Sequence, residues 1–254
     1  MSGTLTPMPG AAPLARQVLA QARMESKLML RNGEQLLLAI VIPVIVLIGG
    51  VTGADRVGIT LEHDPIDVFA PGVLALAIMS TAFTSLAIAT GFERRYGVIK
   101  RLGSSPLPRS GLLAGKVLAL LLVEAGQIVV ISAVAFALGW SPDPHLLGAL
   151  LAVLAGTAAF AALGLFLAGS LRAEATLAAA NLVYLLLLAG GAVVLPISAY
   201  GAFGDVVRWL PSGALGSAMR ASLIDGAVAW RDLAVLTAWA VLGTVLTART
   251  FKWE

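Results

Sequence analysis

The chain has 254 residues, of which 59% are hydrophobic and only 12% charged, with a net charge of +3. A soluble domain carries about 25% charged residues, so this deficit points to an integral membrane protein. The absence of cysteine excludes disulfides and thiol chemistry, and two histidines with 6% aromatic content leave little material for holding a cofactor.

Residues 1–13 are small, polar and proline-rich, the composition of a disordered tail. They lack the basic start and apolar core of a signal peptide. Residues 14–33 read as a helix. Arg16, Arg23 and Lys27 share a face through spacings of seven and four, with Leu14, Val18, Ala22 and Met29 roughly opposite. The pattern predicts an N-terminal interfacial helix with its cations near anionic head groups. A solvated helix ahead of the membrane is the alternative.

A helix crosses the hydrocarbon core with about 20 apolar residues. Six segments qualify, near 35–53, 68–92, 111–138, 146–169, 176–195 and 231–249. The fold class is therefore all-α integral membrane, with residues 14–254 as one transmembrane domain. Pro43 is expected to kink the first span. The fourth is rich in Ala, Gly and Leu, so its neighbours can approach closely. With the N-terminus inside, twelve Lys and Arg fall on inner segments and four on outer ones, which predicts both termini in the cytoplasm.

Residues 91–109 form the most charged run between two long apolar segments. Five of the seventeen Lys and Arg lie there, at 94, 95, 100, 101 and 109. Apolar residues at 92, 96, 99 and 102 approach a helical stripe, and Arg94 and Arg101 share a face. Pro106 and Pro108 stop a helix. The residues alone leave two readings: a loop that sets topology, or a short amphipathic helix offering a basic side to a soluble partner. Residues 196–230 are too long for a turn and too broken to span, being punctuated by Pro196, Gly201, Gly204, Pro211, Gly213, Gly216 and Gly226. They read either as a surface loop with short helices or as outer re-entrant half-helices whose backbone is buried by protein.

The run Gly91-Phe92-Glu93-Arg94, then Gly97, then Leu102-x-Ser104-Ser105-Pro106, then Arg109 and Gly115-Lys116, resembles the loop between the second and third spans of type-2 ABC exporter permeases. Arg95 and Lys100 stand where that family often carries acids. The N-terminal helix and the segment with Trp209-Leu210-Pro211, Leu215 and Arg220 resemble the same family. The resemblance implies that the loop is a coupling helix docking on a separate ATPase, with Glu93, Arg94, Gly97, Arg101, Ser105 and Pro106 as its residues. It implies extracellular re-entrant helices capping the outer end of the pathway. It implies no cofactor bound by this chain, with ATP and Mg held by the partner ATPase. Two ABC ATPase subunits would serve two permeases, the second being another copy or a homologous chain. The setting implied is a bacterial cytoplasmic (inner) membrane, with membrane lipid as a further partner.

A phosphate loop needs Gly-x-x-x-x-Gly-Lys-[Ser/Thr]. The nearest match, Gly111-x-x-x-Gly115-Lys116-Val117, is one residue short and lacks the hydroxyl. His63 and His145 fall in expected outer loops and read as solvated, so neither a catalytic residue nor a metal site is expected. Lys116 lies roughly 8 Å above the inner end of its span, close enough to snorkel back or to reach Glu174. Glu124 lies roughly 20 Å above that end, past the middle of the core. Gln127 shares its face, and Thr81, Thr157 and Thr237 fall at a similar level. A carboxyl there must find donors, stay protonated or face water. Glu124, Gln127, Thr81 and Thr157 are thus either points on a translocation pathway or hydrogen-bonded packing residues.

The chain reads as the transmembrane subunit of an ATP-driven ABC exporter. Its cargo would be a small hydrophobic drug-like or lipid-like substrate, moved out of the cytoplasm or inner leaflet. The alternative is an ATPase-independent secondary transporter or channel, which would want an ion relay through the core. Glu124 alone is a thin relay. No nucleic-acid partner is expected.

Overall fold

The structure is a computed structural model and describes residues 12–31, 33–57, 63–98, 101 and 108–250. Two expected docking residues, Ser105 and Pro106, lie outside the described residues, as does Lys100. Every regular element among the described residues is helical.

Helix α1 (Leu14–Arg31) lies along the start of α4 (Arg109–Ala137) and buries Gln21, Ala22 and Ser26 there. Gly115 of α4 permits the close approach, since a Cβ would press into Gln21. Arg16, Arg23 and Lys27 are exposed on the opposite side. Of the apolar residues expected opposite them, Ala22 is buried, Val18 and Met29 are half-buried and Leu14 is exposed, so the face division is realised in part.

Helix α2 (Gly33–Val57) contains Pro43 and leads to α3 (Pro65–Arg95). Pro65 opens α3, where a missing N–H costs nothing. Apolar residues surround the first half of α3 on all sides, so it must be enclosed. Each residue from Val68 to Met79 is buried. Residues Ser80–Ser85 of α3 are wound as a π-helix, a form found mostly as short insertions at functional sites.

Four further long elements follow. They are α4, α5 (Leu146–Ser170), α6 (Ala173–Gly190) and, after the short helices described below, α9 (Trp230–Thr250). Small residues set the spacing. A Cβ on Gly164 of α5 would lie 2.8 Å from the Phe83 carbonyl oxygen of α3. One on Gly243 of α9 would lie 2.9 Å from the Ala162 Cβ of α5. With little hydrophobic drive between helices in lipid, such close backbone contact supplies much of the packing energy.

Among the described residues, five helices are long and apolar enough to cross a membrane: α3, α4 from Ser110, α5, α6 and α9. The described apolar stretch of α2, Ala39–Ala54, is shorter than these. Six spans were expected from the sequence.

Helix α6 stops at Gly190, short of the expected 195. The carbonyls beyond it find another partner. A 3-10 segment (Ile197–Phe203), α7 (Gly204–Val207) and α8 (Pro211–Leu223) fill residues 197–223. Helix α8 is almost wholly buried against α3, α5 and α9, so this part of 196–230 is not a surface loop. Its Arg220 donates from Nη1 to the carbonyls of Val193 (3.3 Å) and Val194 (3.1 Å), and from Nη2 to those of Ala192 (3.1 Å) and Leu195 (3.3 Å). Those four oxygens would be orphaned in the core without it. Ala192 takes a φ of 52°, a strained value for a side chain with a Cβ.

Candidate functional site

Two polar constellations stand out, one at the end of α3 and one at the middle of α4. The first is built on the last turn of α3. Glu93 turns inward, and its Oε1 accepts from Lys116 Nζ at 2.8 Å. The same ammonium donates to Glu25 Oε1 of α1 at 3.0 Å. Gln21 Nε2 braces Glu25 at 2.8 Å. Lys116 thus sits between two carboxylates and leaves Glu174 alone. Glu174, at the start of α6, is instead paired with Arg95.

Arg94 donates to the carbonyls of Ala168 and Leu171 (3.3 Å for the latter), where α5 runs out of helical donors. A cation at a helix C-terminus is favourable both as a cap and against the helix dipole. Tyr96 and Gly97 then form a turn, with Gly97 at φ +68°. The Arg101 backbone N–H donates to the Gly97 carbonyl at 3.1 Å, and the Arg101 side chain is exposed. Glu93 and Arg94 therefore close the span helix, while Gly97 and Arg101 lie beyond its end.

The second constellation rests on Glu124 and Gln127, three residues apart on one face of α4. Thr157 Oγ1 of α5 donates to Glu124 Oε2 at 2.6 Å, while Glu124 Oε1 is buried with no hydrogen-bond partner among the described residues. Gln127 Nε2 donates to the Ala39 carbonyl of α2 at 2.9 Å. Gln127 Oε1 accepts from Thr81 Oγ1 at 2.9 Å, inside the π-helical turn of α3. Four helices are tied at one level through two side chains of α4. Thr237 takes no part, since its hydroxyl donates to the Leu233 carbonyl within α9. Glu124, Gln127, Thr81 and Thr157 are all 2% exposed or less, so in this conformation they are enclosed within one chain.

His145 caps α5, its Nδ1 accepting from the Gly148 backbone N–H at 3.1 Å. Among the described residues no cluster of His, Cys, Asp or Glu could hold a metal ion.

The sequence from residue 15 to 224, α1 through α8, matches the ABC-2 type transporter family. The chain belongs to that family. A "Putative transport permease YvfS" of Bacillus subtilis (strain 168) is 25% identical to it over 175 residues, covering 67% of this chain and 71% of that protein. This ABC-2 permease is a multi-pass membrane protein and the transmembrane component of an ABC transporter, a non-enzymatic subunit. The family generally works with an ABC ATPase. Both polar constellations of the permease lie inside the matched region.

Sequence reasoning missed Glu25 and the capping role of Arg220. Glu25 carries a weak signal: it stands four residues after Gln21, on the side of α1 away from the exposed cations. Arg220 carries one too, as a lone cation in a small-residue helix.

Proposed function

We propose that this permease is the membrane half of an ATP-driven exporter for a hydrophobic drug-like or lipid-like molecule. Two permeases, this chain with a second copy or a relative, would enclose the pathway. Two ATPase subunits holding ATP and Mg would dock on the loop that follows α3. In this reading α2 is a sixth span, both termini are cytoplasmic, and α8 enters from the outer side of a bacterial inner membrane.

The observation that carries the reading is the anchoring of the last turn of α3. Glu93 ties it to α4 and, through Lys116 and Glu25, to α1. Arg94 and Arg95 tie it to α5 and α6. Residues 96–108 leave directly from this turn. A displacement of that loop would therefore be passed to five helices together. ATP binding, by drawing two such loops towards each other, would bias the spans from inward to outward access.

The experiment is co-purification of the permease with its ATPase, reconstitution in liposomes, and ATPase measurement with a panel of hydrophobic substrates. Substrate-stimulated hydrolysis and ATP-dependent export support the reading. Transport by the permease alone, driven by an ion gradient, would instead support the secondary-transporter alternative.

A further inference from the structure

The end of the bundle remote from α1 holds a cavity of about 400 Å³ between the 3-10 segment, α7, α8 and α9. Four charged side chains line it: Asp205, Arg208, Arg231 and Asp232. Arg208 Nη2 pairs with Asp205 Oδ1 at 3.2 Å, but its Nε is buried with no hydrogen-bond partner among the described residues. A donor left in that state has a free-energy incentive to find an acceptor.

A second cavity, of about 360 Å³, lies along α9. Arg231 lines both. The second is otherwise apolar, walled by Trp209, Ala238, Trp239 and Leu242 among others. Trp239 Nε1 donates to the Trp209 carbonyl at 2.8 Å, and the Arg231 guanidinium stacks 5.1 Å from the Trp209 ring centre. Trp209 and Trp230 are more than half exposed. Exposed tryptophans beside arginine are the signature of the membrane–water interface. That places the charged cavity at head-group level and the apolar groove at acyl-chain level. From Arg231 to Leu242 the groove follows α9 for roughly 16 Å, about half of a ~30 Å hydrocarbon core.

We propose that these two cavities, which meet at Arg231, together bind one phospholipid with a zwitterionic head, drawn from the surrounding leaflet. Its phosphate lies between Arg208 and Arg231, in the bidentate geometry that guanidinium groups favour. Its ammonium faces Asp205 and Asp232. One acyl chain runs down the groove past Trp239 to Leu242. Equal numbers of acids and bases in the cavity match a zwitterion and disfavour an anionic head. The site needs neither an ATPase nor a cargo, so its test is independent of the export reading.

The test uses the full chain in nanodiscs containing a trace of phosphatidylethanolamine with a photoreactive acyl chain, followed by peptide mapping. Labelling should concentrate on the 234–242 region. Unlabelled phosphatidylethanolamine should compete at least about tenfold better than phosphatidylglycerol. The double variant Arg208→Ala/Arg231→Ala should lose labelling by a similar factor. Leu242→Trp, which fills the groove without touching the charged cavity, should lose it as well. Helical content and elution volume confirm that the variants are folded. Labelling spread evenly over the exposed helices, labelling unchanged in both variants, or equal competition by phosphatidylglycerol would each overturn the proposal.

Discussion

Lys116 Nζ lies 2.8 Å from Glu93 Oε1, joining α4 of this permease to the last turn of α3, just before the charged loop. The lysine side chain is 7% exposed and also holds Glu25 at 3.0 Å. One buried cation thus pairs with two carboxylates from two other helices.

Removing that cation should be costly. Lys116→Met leaves Glu25 and Glu93 facing each other without a counter-charge. Breaking a buried ion pair from one side costs about 3–5 kcal/mol. The variant should show a clearly lowered unfolding midpoint in detergent. Glu25→Gln should cost only about 1 kcal/mol, since Lys116 keeps Glu93. Equal midpoints for wild type and Lys116→Met would show that the cluster contributes nothing to the fold.

Glu124 distinguishes packing from transport. Glu124→Gln keeps an acceptor for Thr157 and nearly the same shape, so unfolding should be almost unchanged. Glu124→Leu strands the Thr157 hydroxyl and should cost about 1 kcal/mol, the scale of an intramembrane hydrogen bond. The Glu124 Oε1 atom has no partner among the described residues, so a role in transport should appear as altered substrate-stimulated ATPase activity in Glu124→Gln. Full activity in both variants would mark the residue as a packing group only.

Arg220 should be the least replaceable residue beyond α6. Arg220→Met would orphan four carbonyls, from Ala192 to Leu195, at roughly 1–3 kcal/mol for each oxygen that water cannot reach. The expected outcome is little folded protein by fluorescence-detected size exclusion. Arg220→Lys keeps the charge but loses the planar fork that serves four acceptors, and should recover part of the yield. Normal yield from Arg220→Met would mean that water satisfies the segment.

The span helices were legible because a run of about 20 apolar residues is a compositional signal that needs no partner. The faces of α1 were legible for a similar reason: a helix fixes which residues share a side. What depends on helix crossing was not legible. Sequence spacing put Lys116 within reach of Glu174, but α1 lies across that position and supplies Glu25 instead. The resemblance gave Glu93 to a docking helix. The preceding span continues to Arg95 and turns Glu93 inward. The stop of α6 at Gly190 has a local signal in Gly190-Gly191, but that Arg220, thirty residues on, takes the carbonyls beyond it is carried by no local pattern. Glu124 and Gln127 were placed at one level by counting rise per residue, yet which threonine each would meet depended on the packing of α3 and α5 around α4.

The last prediction concerns the loop itself. If the loop that follows α3 docks on an ATPase, Arg101 should meet acidic groups there. Arg101→Glu replaces attraction with like-charge contact. A buried interfacial charge pair costs about 2–5 kcal/mol to break from one side, so reversal should do at least as much damage. Gly97 needs a more careful substitution than a bulky one. At φ +68° a β-branched side chain would strain the turn whether or not a partner is present, although open space surrounds the position. Gly97→Val therefore confounds turn and interface. Gly97→Asn separates them, because asparagine tolerates the left-handed region yet adds bulk. Both Arg101→Glu and Gly97→Asn should reach the membrane in normal amount, since most inner cations remain to hold the topology. Both should lose ATPase co-purification and export. Only the Arg101→Glu defect should depend strongly on ionic strength, because it acts through charge. Retained partner binding and transport in the two variants would leave the loop as a topological signal and remove it as the coupling element.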